Sequence, residues 1–352
     1  MFLYDKSVVK ADMDDLISRD IPFEKLKGKT VLVTGATGML AYYFTLTLMH
    51  LNKEKDYGIK VLALVRSKAK AEAKFAGFLG DDNFEIIAQD VCAPIDYEGD
   101  IHYIFHAAGA ASPYFIKNDP TGIIAANTQG TVNILELARK KNIENVVYPS
   151  TREIYGKVED VDFVKETDMG TFDPLEARSC YPESKRMAET ILKSYLVQYG
   201  VPFTVLRIAH SYGPGMIIGN DGRGMADFIT NAVNSSDIVM KSDGLAERAF
   251  CYVSDAVAAI FLVMLKGETG EAYNLANETE PMAIRDVAQI ISDLFPERNI
   301  KVVYEVSTDT SGYCNYKRKG LNTEKLEALG WKPLVSFDES LHILGRKLGL
   351  TV

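Results

Sequence analysis

The stretch KTVLVTGATGMLA, residues 29–41, decides the fold of this chain. Its first half is an apolar, β-branched run that predicts a buried strand, and an apolar helix follows the glycine-punctuated turn. Glycines at 35 and 38 let the backbone approach a pyrophosphate, which then lies at a helix N-terminus where N–H groups favour anions. This strand–turn–helix context predicts a dinucleotide site. Its first members are Gly35, Thr37, Gly38, Met39 and Leu40.

Further apolar runs alternate with helical segments along the chain. Strands are predicted at 59–66, 84–90, 102–109, 145–151 and 202–209, and helices at about 120–141 and 181–199. Continuous apolar strands separated by helices indicate a parallel sheet covered on both faces. The fold class is therefore α/β, a Rossmann-type doubly wound parallel sheet with a smaller C-terminal α/β region. The expected division is an N-terminal extension (1–28), a dinucleotide domain (29–212) and the C-terminal region (213–352).

Composition and charge narrow the class of protein. The 352 residues carry a net charge of −9, which argues against broad binding of nucleic acid or of an anionic membrane. No stretch reaches the roughly 18 apolar residues of a membrane helix, and acidic residues near the N-terminus argue against a secretion signal. The four cysteines are widely spaced and the histidines share no metal-ligand spacing, so we expect a cytoplasmic protein without a metal site.

The ends of the later strands supply further candidate cofactor contacts. Arg66 stands where NAD sites usually have an acid for the ribose 2′-hydroxyl, and an arginine there suits the 2′-phosphate of NADP. A solvated surface arginine explains the same position equally well. The ends of the strands predicted at 84–90 and 102–109 are also expected to contact the cofactor. Their residues are Asp90, Val91, Ala107, Ala108 and Gly109.

Tyr181 and Lys185 lie in the sequence YPESK, about 30 residues after a strand that ends in Ser150-Thr151. Positions i and i+4 at the start of a helix share one face. An ammonium beside a phenol lowers the pKa of the phenol, so Tyr181 is expected to act as a base toward a hydroxyl group. Both residues are also expected to contact the cofactor.

These motifs together resemble the extended short-chain dehydrogenase/reductase family. The pieces TGATGMLA, HAAG, STREIYG and YPESK follow the order and spacing of that family over about residues 29–345, and ALGWKP (328–333) is typical of its sugar-nucleotide members. The resemblance implies bound NAD, with NADP left open by Arg66, and a nucleotide-diphosphate sugar as substrate. It is closest to the UDP-glucuronate decarboxylases, through HAAGAASPYF, CYPESKRMAET, NDGRG (220–224) and ERAFCYVSD, and next to the dTDP-glucose 4,6-dehydratases.

The resemblance also implies roles for the catalytic residues. Tyr181 would remove the proton from the sugar 4-hydroxyl, Lys185 would hold the nicotinamide ribose, and Thr151 would bond the 4-oxygen. Glu153 is present in decarboxylases and dehydratases, whereas simple 4-epimerases usually lack it. Dehydratases place Asp where this chain has Arg152. The chain therefore lacks the acid that protonates the departing hydroxyl in a dehydration. Arg152 could grip a C6 carboxylate bidentately or point into solvent, and epimerisation stays open as a third outcome.

Substrate contacts complete the expected site. Ser112 and Tyr114 should line the sugar pocket, and Arg248 lies where the family binds phosphate. His210 replaces a usual Asn near the diphosphate, and Arg223 is expected at the nucleotide or at a partner loop. The family often forms a homodimer through the helices at 120–141 and 181–199, and the same apolar spacing would also pack each helix on its own sheet.

Overall fold

The computed structural model of the chain describes Tyr4 and residues 6–216, 223–305 and 319–343. The strands are β1 (Thr30–Thr34), β2 (Lys60–Val65), β3 (Phe84–Ala88), β4 (Tyr103–His106), β5 (Asn145–Thr151), β6 (Phe163–Val164), β7 (Phe203–Ile208), β8 (His210–Tyr212), β9 (Ile238–Met240), β10 (Glu247–Tyr252), β11 (Glu271–Leu275), β12 (Pro281–Ala283), β13 (Val302–Tyr304) and β14 (Gly320–Leu321). The helices are α1 (Ser7–Ser18), α2 (Met39–Lys55), α3 (Lys68–Lys74), α4 (Pro113–Asn118), α5 (Pro120–Lys141), α6 (Cys180–Tyr199), α7 (Gly224–Val233), α8 (Val253–Lys266), α9 (Ile284–Asp293), α10 (Glu324–Glu327) and α11 (Phe337–His342).

The main sheet has the strand order β3-β2-β1-β4-β5-β7-β11, and all of its pairings are parallel. The connection from β3 to β4 carries the chain from one half of the sheet to the other, so the strand order reverses between the neighbours β1 and β4. In doubly wound sheets the ligand binds in the crevice at this switch point, beyond the carboxyl ends of the strands. The α/β fold class predicted from the sequence is confirmed.

Each face of the sheet is covered by helices. Val31 and Val33 point into a core shared with α2 and α8, where Phe44 stacks on Phe261 at a centroid distance of 4.3 Å. Leu32 points the opposite way into a second core formed with α5 and α6. Because successive side chains of a strand alternate between the two faces, this double coverage explains why every position of β1 is apolar or buried.

The predicted strands and helices of residues 29–209 match the structure to within a few residues. Beyond residue 212 the described chain forms the smaller sheets and also adds elements to the main sheet. The strand β11 (Glu271–Leu275) completes the edge of the main sheet beside β7, and α8 packs against it. Among the described residues of the C-terminal region, α8 and β11 therefore belong to the layers of the main sheet, while β8, β10 and β12 form a separate small sheet.

The N-terminal extension is an integral part of this architecture. In α1, Asp12 accepts hydrogen bonds from Tyr43 of α2 and Tyr252 of β10. Just after the helix, Arg19 donates to Asp255 of α8 at 2.8 Å. The extension thus ties the first cofactor helix to the C-terminal region. No helix among the described residues combines the length and apolar character needed to cross a bilayer.

Candidate active site

The glycine-rich turn after β1 lies against the end of β4. Gly35 has φ +61°, and a Cβ added there would stand 2.8 Å from the carbonyl oxygen of Ala107 and 2.9 Å from Cα of Ala108. Gly38 then precedes the first turn of α2, whose leading N–H groups have no partner within the helix. The turn has space only for glycine, and it presents N–H groups to an anion, so these residues fit a dinucleotide pyrophosphate.

A buried histidine holds the end of β4 in place. The His106 ring nitrogens lie 2.9 Å from Oγ1 of Thr34 and 3.2 Å from Oγ1 of Thr131. Burial lowers the pKa of His106 to about 3, so the ring is neutral. The Thr34 hydroxyl also accepts from the Ala108 N–H at 3.0 Å, which fixes the backbone predicted to pass along the cofactor.

The other residues predicted to contact the cofactor follow the strands β2 and β3. Asp90 accepts from the Cys92 N–H at 2.8 Å, and Val91 is buried against Gly130 of α5. Arg66 is exposed immediately after β2. Sequence reasoning missed Lys74, whose ammonium donates to the Thr37 carbonyl of the glycine-rich turn at 2.7 Å.

The catalytic candidates meet where β5 ends and α6 begins. Thr151 is the last residue of β5, and its Oγ1 accepts from the Glu153 N–H at 3.2 Å. Tyr181 and Lys185 lie one helical turn apart at the start of α6, and each is more than nine-tenths buried. The Thr151 hydroxyl lies close enough to the Tyr181 phenol to lower its pKa. The structure therefore brings Thr151, Tyr181 and Lys185 together as the motif order predicts.

The pKa of Tyr181 differs from the sequence expectation. Burial raises it above the ordinary phenol value, and Glu153 raises it further. Thr151, Arg178 and Arg223 act in the opposite direction. The expectation that Lys185 lowers the pKa of this phenol is wrong for the chain alone, because burial raises that pKa and Lys185 is not among the groups that lower it.

Lys185 is buried with few charged neighbours. Its ammonium donates to the Pro149 carbonyl at 2.8 Å and lies 4.4 Å from the ring centroid of Tyr148. Burial lowers the pKa of Lys185 to about 7, and only Glu189 is identified as opposing this shift. A ribose hydroxyl could replace or join the carbonyl as an acceptor for this ammonium.

Glu153 has a partner that the sequence did not reveal. Arg178 donates to both carboxylate oxygens of Glu153, at 2.6 Å and 3.0 Å, and the pair is largely buried. Such a bidentate pair fixes the orientation of the carboxylate. Arg178 precedes Tyr181 by three residues, but only the folded chain shows that it faces the segment after β5.

The residues predicted to bind substrate lie in several parts of the fold. Ser112 precedes α4, and its buried Oγ makes no hydrogen bond within the part of the chain that the structure describes, as expected of a group that binds a ligand. Tyr114 is 54% exposed. On the small sheet, Arg248 of β10 lies two residues before Phe250, whose ring packs on His210 of β8.

Arg223 and Arg152, which were both predicted to bind substrate, lie in different environments. Arg223 immediately precedes α7, and its charge is near enough to lower the pKa of Tyr181. Arg152 instead donates to the Lys319 carbonyl at 3.2 Å and lines a cavity of about 330 Å³ with the segment 155–160. Residues 220–222 of the NDGRG stretch, and Cys314, lie outside the described residues.

Comparison with known proteins places this site in a family. The model of the NAD dependent epimerase/dehydratase family matches residues 31–276. The chain belongs to this family. The match covers the glycine-rich turn, the segments of Thr151 and Tyr181, and β11. These are the segments that form the site described above.

Two relatives that cover most of the chain are UDP-glucuronic acid decarboxylases. The chain is 32% identical to UDP-glucuronic acid decarboxylase 6 of Arabidopsis thaliana, over 89% of this chain and 87% of that protein. It is 33% identical to UDP-glucuronic acid decarboxylase 1 of Danio rerio, over 89% of this chain and 71% of that protein.

Solved structures confirm the fold. A UDP-glucose 4-epimerase from Thermotoga maritima, solved with UDP-glucose, matches with a TM-score of 0.75 and 22% identity, over 91% of this chain and 98% of that one. A UDP-glucuronic acid 4-epimerase from Bacillus cereus, solved with UDP-glucuronic acid and NAD, matches with a TM-score of 0.74 and 19% identity, over the same shares of each chain.

Proposed function

We propose that this chain is a nucleotide-sugar lyase that decarboxylates UDP-glucuronate to a UDP-pentose. The observation that carries this proposal is the Glu153 carboxylate held by Arg178 beside Thr151 and Tyr181. Identity to UDP-glucuronic acid decarboxylases over most of the chain supports the same reaction. The glycine-rich turn and Lys185 would hold NAD, which would supply the hydride acceptor for oxidation at C4 and the hydride for the final reduction.

The protein's own groups prepare the sugar 4-hydroxyl. In its deprotonated form Tyr181 would accept the proton of this hydroxyl, and Lys185 would hold the nicotinamide ribose of the cofactor. The Thr151 Oγ accepts from the backbone of Glu153, which leaves the hydroxyl proton of Thr151 for the substrate 4-oxygen. Burial of all three side chains excludes water and strengthens these interactions.

Oxidation at C4 turns the C6 carboxylate into part of a β-keto acid. The C5–C6 bond then breaks, CO2 leaves, and the electron pair passes to the C4 oxygen, where Thr151 and Tyr181 stabilise it. A proton adds at C5. No net redox change results, so the cofactor can stay bound through the cycle.

Arg152 favours this reaction over dehydration. A dehydratase needs an acid for the departing hydroxyl, and this position carries an arginine that donates to the Lys319 carbonyl. The diphosphate is assigned to Arg248, with His210 and Arg223 near it, and the sugar to Ser112 and Tyr114.

Incubation with UDP-glucuronate tests the proposal. The expected products are CO2 and a UDP-pentose, followed by gas release and mass spectrometry. A 4-keto-6-deoxy sugar formed from a hexose nucleotide would assign the chain to the dehydratases instead. UDP-galacturonate formed without CO2 would assign it to the epimerases.

The proposal includes a cytoplasmic homodimer. In α5 and α6 the apolar side chains of Ile124, Met187 and Val197 are 43%, 51% and 79% exposed, which suits a four-helix interface between two copies. Light scattering should give twice the 39.0 kDa chain mass. Met187→Glu should yield a monomer, whereas Leu79→Glu, at an exposed position outside these helices, should leave the dimer intact.

A further inference from the structure

Glu189 lies on the face of α6 that carries Lys185. The two residues are four apart in the helix, a spacing that brings their side chains to the same face. The side chain of Glu189 is only 14% exposed. A carboxylate this far from water is costly unless its oxygens have hydrogen-bond partners. Its partners come from two strands of the main sheet, β5 and β7.

Arg207 of β7 holds this carboxylate. It donates to both oxygens of Glu189, from Nε at 3.2 Å and from Nη2 at 2.7 Å. The guanidinium is fixed in turn, because its Nη1 donates to the Tyr155 hydroxyl at 3.0 Å and to the Glu166 carbonyl at 2.7 Å. A bidentate pair whose cation is itself held fixes the orientation of the carboxylate.

Ser150 of β5 connects the same carboxylate to the catalytic residues. Its hydroxyl donates to Glu189 at 2.5 Å. The residue before it, Pro149, accepts from the Lys185 ammonium at 2.8 Å, and the residue after it is Thr151. Two consecutive residues of β5 are therefore bonded to α6, one to the acid and one to the ammonium. These contacts hold the strand end that carries Thr151 against the helix that carries Lys185.

Glu189 also supplies negative charge near this ammonium. Burial lowers the pKa of Lys185 to about 7, and Glu189 acts to raise it. The other titratable groups nearby are Tyr148 of β5, His106 of β4, Tyr181 of α6 and Arg207 of β7. Burial raises the pKa of both phenols and lowers that of the imidazole, so these three groups are neutral. Arg207 moderates the charge of Glu189 without cancelling it.

We propose that Glu189 is a positioning residue that keeps Lys185 in its ammonium form and fixes it for the ribose of the cofactor. An ammonium has three donors, of which one is used by the Pro149 carbonyl and two remain for ribose hydroxyls. A neutral amine has one donor fewer. The inference rests on the proposed function, in which Lys185 holds the nicotinamide ribose.

Carbon NMR of the protein labelled at the lysine Cε atoms follows the titration of Lys185, whose signal is identified by its absence in Lys185→Met. In Glu189→Gln this titration should move about one pH unit lower, because an opposite charge is lost while an acceptor for Ser150 is kept. Glu183→Gln is the matched control. It removes an acid of the same helix that is 40% exposed and lies 3.8 Å from Arg186, and it should leave the titration in place.

Calorimetry with NAD+ gives a second measurement that a merely structural role would not reproduce. If the ammonium form binds the ribose, Glu189→Gln should bind NAD+ with nearly wild-type affinity at about pH 5 and about tenfold more weakly at about pH 8. The difference grows with pH because the variant loses its ammonium at a lower pH. A structural defect would weaken binding equally at both pH values.

A double variant keeps the test decisive if Glu189→Gln fails to fold with the Arg207 charge buried and unpaired. Glu189→Gln combined with Arg207→Met removes both charges, and it should move the Lys185 titration in the same direction by a smaller amount. An unchanged titration, an affinity loss independent of pH, or failure of both variants to fold would overturn the inference. Conversion of UDP-glucuronate without release of CO2 would refute the proposed function and leave this inference standing, because neither measurement involves the sugar.

Discussion

Replacing Gly35 by alanine should damage both stability and cofactor binding. Gly35 has φ +61°, where an alanine costs about 1–2 kcal/mol. Its Cβ would also stand 2.8 Å from the Ala107 carbonyl oxygen and 2.9 Å from Cα of Ala108. Both are backbone atoms, so a strand end must move, and overpacking of this kind costs about 1–3 kcal/mol. The expected loss in the free energy of unfolding is therefore about 2–5 kcal/mol.

Gly58 provides a matched control. It has the same φ, +61°, but a Cβ there would meet no atom within 4 Å. Gly58→Ala should lower the free energy of unfolding only by the cost of the positive φ, about 1–2 kcal/mol. Urea titration followed by circular dichroism gives both free energies, and calorimetry with the dinucleotide should show at least tenfold weaker binding for Gly35→Ala alone.

Equal destabilisation of the two variants would refute the reasoning. It would mean that the approach of the turn to β4 is relaxed at no cost, and that only the positive φ requires glycine at position 35. Wild-type dinucleotide affinity in Gly35→Ala would contradict the further claim that this close approach shapes the cofactor cradle.

Three other predictions concern the catalytic centre. Tyr181→Phe should lower kcat for CO2 release by about 10²–10⁴ while the dinucleotide stays bound, and unchanged turnover would remove Tyr181 from the mechanism. The pKa of Lys185 is lowered from 10.5 to about 7, so the unfolded chain binds more protons between these values and the contribution of Lys185 to stability rises with pH. The stability of Lys185→Met relative to wild type should therefore fall from pH 7 to pH 9, by at most about 1.4 kcal/mol per unit in urea titrations, and a pH-independent difference would contradict the lowered pKa. Arg178→Met removes a cation that lowers the pKa of Tyr181, so the acidic limb of the kcat–pH profile should move to higher pH, whereas Arg139→Met, in an exposed pair, should leave it in place.

The amino-acid sequence alone determined the parallel sheet and the members of its central motifs. Periodicity and glycine placement specify local structure, and the run at 29–41 combines a strand, a turn and a helix within one short segment. Tyr181 and Lys185 were predicted to share one face because they lie four residues apart at the start of a helix, and the family resemblance implied that Thr151 joins them. For the same reason the strand limits predicted from apolar runs agree closely with the structure.

Only the tertiary structure decided which charges face each other. Arg178 and Glu153 are 25 residues apart, and Lys74 is separated from Thr37 by a complete strand, so no local pattern pairs them. The direction of the Tyr181 pKa also depended on the fold, because it is the balance between burial and several charges from different elements. Local spacing encodes which residues share one helix or strand, whereas desolvation and contacts between elements exist only once the chain has packed.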